Sequence, residues 1–171
     1  IQKAIEKEKL NIQSEIDEIK EQIESRKGEY QQLKEKVDKI KLKENELKTE
    51  LDKEREQYSK IGHEIKSAQK DIDLYDSGKC PTCGTDFLNA HFEGLKSSLL
   101  EKKESLEKIK TEIEDNMRSI RKKQVKLQTI SDNTNKSFND ITYLLKGYKT
   151  QIERLQLQNG NDSSKSSVNI Q

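Results

Sequence analysis

The sequence predicts an all-α protein, a long antiparallel intramolecular coiled coil whose two arms are joined by a short cysteine-bearing bend. Three observations lead there. Of 171 residues, 29% are hydrophobic and 38% charged, with no Trp and three Phe. A globular domain of this length is usually near half apolar, so a broad core is excluded while a narrow helix–helix seam is not. The apolar residues also keep a seven-residue repeat on both sides of the bend, an order that disordered chains of similar composition lack. Between the two repeats, residues 78–87 hold both cysteines, the only proline and two of the seven glycines.

The first arm is residues 1–75. Stepping by four and three from Ile12 to Tyr75 gives nineteen positions, sixteen of them apolar or aromatic; Arg26, Glu44 and Glu54 are the exceptions. A 3.5-residue spacing held this long is the signature of a coiled coil. At a rise of ~1.5 Å per residue the stretch from Ile12 to Tyr75 covers roughly 95 Å. The second arm is residues 92–158. Its seam is read from Phe92, Leu95 and Leu99 onward to Leu155, and thirteen of its nineteen positions are apolar or aromatic. Lys102, Asn116, Lys123, Thr134, Ser137 and Gln151 interrupt it, and Phe138, Leu145 and Ile152 form a flanking row. Asn159-Gly160 reads as a helix stop, and residues 159–171 as a flexible polar tail.

Folded back on each other, the arms place a positions against d positions, so facing residue numbers sum to a constant. A sum of 167 joins Glu44 to Lys123; a sum of 160 strands Lys123 on Val37, and an unpaired charge in a seam costs far more than a paired one. The 167 register is therefore expected, with Tyr75 against Phe92 and Ile65 against Lys102, whose stem runs along the seam. One level looks weak. Gly28 borders residues 132–139, Asp-Asn-Thr-Asn-Lys-Ser-Phe-Asn. Glycine in a helix costs ~1 kcal/mol relative to alanine and the polar residues add tenths each. A bend or locally melted joint is expected there.

Charge argues for a solvated, ion-paired exterior. The 33 basic and 32 acidic residues are interspersed and net to +1, so neither a nucleic-acid nor a membrane surface is marked. No apolar run approaches the ~20 residues that cross a bilayer. No signal peptide opens the chain, which begins at Ile1 without Met and reads as a piece of something longer. A single C-x-x-C pair is no disulfide framework and points to a reducing compartment, cytoplasmic or nuclear.

The bend, residues 76–91, carries the chemistry. A tight turn places the sulfurs of Cys80 and Cys83 on one side, where they can hold zinc; Pro81 pre-sets the turn and Gly84 allows the positive φ at its exit. A structural zinc site wants four ligands, and this chain offers two cysteines. Three routes follow. His91 could join in cis, leaving a water as fourth ligand, whereas His63 is about 25 Å down the first arm at ~1.5 Å per residue. The two thiols could instead be a redox dithiol without metal, although no strand precedes them. Or two copies could meet tip to tip and share one zinc ion between four cysteines, making a homodimer.

The string Asp-Leu-Tyr-Asp-Ser-Gly-Lys-Cys-Pro-Thr-Cys-Gly-Thr-Asp-Phe-Leu, residues 73–88, set between heptad arms, resembles the zinc hook of the SMC-like DNA double-strand-break repair ATPases. The matching residues are Cys80, Pro81, Cys83, Gly84 and Leu88. The resemblance implies that Cys80 and Cys83 are zinc ligands and that hooks from two complexes join through one ion. It also implies a parent complex with a nuclease subunit, acting on DNA. The nucleotide-binding heads would lie outside this chain, which has no G-x-x-x-x-G-K-[ST] loop; the segment itself is expected to be a tether and not an enzyme. Two rival readings are a thiol–disulfide redox protein and a scaffold whose zinc knuckle closes in cis. Lys79 is expected to offset part of the negative charge of a four-thiolate zinc site, with Leu74, Tyr75, Phe87 and Leu88 packed beside it.

Overall fold

The computed structural model describes residues 2–80, 82–87 and 90–167. Two helices account for nearly all of them: α1, Gln2–Asp76, and α2, Ala90–Ser167. Both are rich in Lys, Glu, Gln and Leu, which lose little rotamer freedom in a helix, and neither contains proline. Among the described residues no helix is long and apolar enough to cross a membrane. The chain forms two compact units, Lys43–Leu127 and Ile1–Leu42 with Gln128–Gln171.

In the unit Lys43–Leu127 the helices run antiparallel. Leu47 and Leu51 of α1 pack with Ile113, Met117 and Ile120 of α2, and Tyr58, Ile61 and Leu127 close the cluster. Tyr75 meets Phe92 at a ring separation of 5.9 Å, the pairing the 167 register requires. In the other unit, Ile12, Ile16, Ile19, Val37 and Ile141 are buried. Tyr30 stacks on Phe138 at 5.2 Å, which keeps the same antiparallel sense.

The burial pattern of α1 follows the expected seam, except that Arg26 is exposed and paired with Glu29 at 2.9 Å. The pattern of α2 corrects the expected one. Phe92, Leu99, Leu106, Ile113, Ile120, Leu127 and their heptad successors face inward as expected, but the second row lies one residue later. Lys96, Lys103, Lys110, Met117, Gln124, Ser131, Phe138, Leu145 and Ile152 are its members. The residues expected there are outside: Leu95 is 38% exposed, Ile109 42%, Ile130 54% and Leu144 37%. Lys102 and Lys123 are exposed too, so the pairings Ile65–Lys102 and Glu44–Lys123 are not made. The reason is that Phe138, Leu145 and Ile152 are not a flanking row but the seam itself, and an unbroken helix holds one phase.

Lysines tolerate that phase because each finds a partner on α1. Lys96 pairs with Asp76, Lys103 donates to Gln69 Oε1 at 2.6 Å, and Lys110 Nζ stands 5.0 Å from the centre of the Tyr58 ring. Their stems cover the seam while the ammonium groups reach its edge. Glu54 is less well served: its Oε2 is buried without a hydrogen-bond partner.

Two further expectations are revised. α1 is helical through Gly28 and α2 through 132–139, so neither helix is melted there. Here the Tyr30–Phe138 contact, the burial of Ile141 and an Asn135-to-Ser131 hydrogen bond at 3.4 Å offset the poor helix propensities. Nor does α2 stop at Asn159-Gly160; it continues to Ser167. A glycine ends a helix by adopting a left-handed conformation, and among the described residues only Gly78 and Gly84 have positive φ.

Candidate metal centre

Between the helices the chain makes a compact hairpin loop, built from the helix end outward. α1 closes with hydrogen bonds from Ser77 N to Asp73 O at 3.0 Å and from Gly78 N to Tyr75 O at 3.2 Å. Gly78, at φ 78°, then turns the chain out of the helix. Such left-handed geometry is open to glycine at little cost and is strained for residues with a Cβ. Lys79 and Asp86 pair as an isolated antiparallel β-bridge. Phe87 N donates to Gly78 O at 2.9 Å and Cys80 N to Thr85 O at 2.8 Å.

Within this frame lies the turn that carries both cysteines. Gly84 N donates to Cys80 O at 2.9 Å, closing the turn, and Gly84 itself sits at φ 69°. Cys80 is half-buried and Cys83 exposed, and both are free thiols. The Thr85 hydroxyl lies 2.9 Å from Cys83 Sγ. Hydrogen bonds from that hydroxyl first, then from the Thr85 backbone and from Cys80, hold the Cys83 thiol below its ordinary pKa. A thiolate supported in this way is the species a metal needs. Pro81 and Leu88 lie outside the described residues.

Three rings seat the loop on the helix ends. Phe87 contacts Tyr75 at 5.3 Å and Phe92 at 4.9 Å, both edge to face. Tyr75 and Phe87 thus pack within their own chain, and Leu74 beside them is half-buried. Edge-to-face rings at these separations contribute about 0.5–1.5 kcal/mol each beyond the area they bury. Lys79 lies 4.0 Å from Asp86, both side chains largely exposed, so part of its charge is already answered inside the loop.

Of the sequence-predicted site residues, Cys80 and Cys83 come together and the histidines do not join them. His91 is exposed at the start of α2, its ring 5.6 Å from that of Phe92. Among the described residues, no group of three or more His, Cys, Asp or Glu side chains gathers where a metal could be held. Thr85 is the residue that sequence reasoning missed. Its signal was present: a hydroxyl two positions after the second cysteine of a knuckle is placed to reach back to the sulfur. Comparison with family models, with curated proteins and with solved structures finds no match for this chain.

Proposed function

We propose that this chain is a non-enzymatic tether, in which Cys80 and Cys83 of two copies hold one zinc ion and so join two helical hairpins tip to tip. The observation that carries this reading is a loop with two cysteines on one turn and no third ligand in reach among the described residues. Zinc in structural sites takes four ligands, and a second copy supplies the missing two without any residue the sequence lacks. The turn suits zinc: sulfur is among its preferred donors, and Thr85 supports the thiolate of Cys83 from behind.

Against the redox reading stands the local fold. Catalytic dithiols draw on a helix N-terminus, whereas Cys80 and Cys83 sit in a β-bridged turn and α2 begins only at Ala90. The resemblance to the zinc hook of the SMC-like DNA-repair ATPases extends the proposal to its setting: two DNA-bound complexes, or two arms of one complex, held together in a reducing compartment.

Native mass spectrometry with and without chelator tests it. The expected result is a dimer with one zinc per two chains, converted to metal-free monomer by chelation or by Cys80→Ser or Cys83→Ser. One zinc per monomer would assign a knuckle closed in cis. A metal-free monomer with a titratable disulfide would assign a redox dithiol. Either outcome ends the tether reading.

A further inference from the structure

We infer that the outer face of α2 around Lys122 binds the phosphate backbone of a double-stranded nucleic acid without reading its sequence. This inference is independent of the metal site. The near-neutral whole hides a local asymmetry. From Asn116 to Ser131 the sequence has no acidic residue and five cations: Arg118, Arg121, Lys122, Lys123 and Lys126. All five are exposed, and the inward positions of this stretch are Met117, Ile120, Gln124, Leu127 and Ser131, so the cations stand away from the seam. Arg118, Arg121, Lys122 and Lys126 line one shallow surface depression with Val125.

Their charge is largely unanswered. Arg118 pairs with Asp115 at 3.0 Å, whereas no ion pair among the described residues engages Arg121, Lys122, Lys123 or Lys126. The antiparallel register of Tyr75 with Phe92 brings Lys43 and Lys48 of α1 to this level against three acids, so α1 takes back one charge and the excess stands. The acids of α1 at this level are Glu44, half-buried in the seam; Glu46, held by Lys43 at 2.8 Å; and Glu50. An exposed cluster of cations in excess of its counter-charges attracts a polyanion and releases the counterions that screened it.

The chemistry of the face selects among polyanions. Val125, 69% exposed, is its only apolar member, so a protein partner would find no hydrophobic centre of the kind stable interfaces have. It carries no aromatic ring on which single-stranded bases could stack. A duplex asks for neither. At ~1.5 Å per residue, Arg118 to Lys126 covers about 12 Å. The same length of duplex carries about seven phosphates at one per ~1.7 Å of axis. Arginine and lysine contacts of this kind position a duplex and carry no base information.

Fluorescence anisotropy with a labelled 20-base-pair duplex tests the inference, with the whole chain in chelator so that the metal plays no part. Saturable binding is expected at 50 mM salt, with log K falling against log salt at a slope of about −3 to −4, as four contacts predict. The triple variant R121E/K122E/K126E should lose at least tenfold in affinity, and the neutral R121Q/K122Q/K126Q about half that on a logarithmic scale. The control K60E/K66E/K70E, which makes the same charge change at exposed lysines elsewhere on α1, should lose less than threefold. Far-UV circular dichroism checks that all three remain helical. Equal losses in patch and control variants, or no saturable binding at 50 mM salt, overturn the inference. So does competition by poly-glutamate as effective, charge for charge, as unlabelled duplex; that would give the face to an acidic polypeptide.

Discussion

Two stretches of α2 fill the same heptad position with opposite chemistry. Between residues 96 and 110 the position is lysine three times over: Lys96, Lys103, Lys110. Between 138 and 152 it is Phe138, Leu145 and Ile152. The first stretch holds its place through an ion pair, a hydrogen bond and a cation–π contact. The second does so by burying apolar surface, as in the Tyr30–Phe138 stack. The difference teaches that the phase of a seam is not set by apolarity alone. A long cation with a partner can occupy a position from which Leu95 and Ile109 are left outside.

The sharpest way to break that comparison is to move a charge between the two phases. Ile113→Lys should cost more than about 3 kcal/mol in urea unfolding, because it buries an unpaired charge beside Leu47 and Leu51. Ile109→Lys, four residues earlier on the outer face, should stay within about 0.5 kcal/mol; similar losses at both would mean the expected seam was right after all. Next comes Ile141→Ala, which removes a buried side chain from the apolar stretch and should lower stability by about 2–4 kcal/mol. Glu54→Leu should go the other way, raising stability by about 1 kcal/mol by removing the unpartnered carboxylate oxygen. Smallest is Asp76→Asn. The Lys96 pairing is partly solvated, so the loss should be slight and should vanish in 1 M salt.

The loop belongs to neither stretch, and its chemistry reads out by reactivity. In metal-free protein, iodoacetamide should modify exposed Cys83 before half-buried Cys80. With its pKa lowered, Cys83 keeps its thiolate as pH falls below the ordinary thiol range, and reactivity is lost only once pH passes the lowered value. Thr85→Ala removes the largest cause and should move that onset to higher pH.

Particular residues show what could be read in advance. The seam of α1 was legible because Ile, Leu and Tyr fill it in one phase from Ile12 to Tyr75. The pairing level was legible too, since Tyr75 does meet Phe92. Glu44 and Lys123, the charges that pointed to that level, do not pair: Lys123 is exposed on the outer face. In α2 two adjacent rows compete, and counting apolar residues does not separate them: Leu95, Ile109, Ile130 and Leu144 stand in one, Met117, Phe138, Leu145 and Ile152 in the other. Nor can a count see that Asp76, Gln69 and Tyr58 await the lysines of the second row. The cysteine pair was legible from spacing; the support Thr85 gives to Cys83 needed the turn's geometry. The basic face around Lys122 was hidden by a whole-chain charge of +1.

The ring of Phe87 touches one aromatic side chain from each helix, Tyr75 of α1 and Phe92 of α2. A pull applied at the cysteines along the helix axes therefore divides between the two helices from the outset. Neither is drawn past the other, so little shear reaches the seam beside the loop.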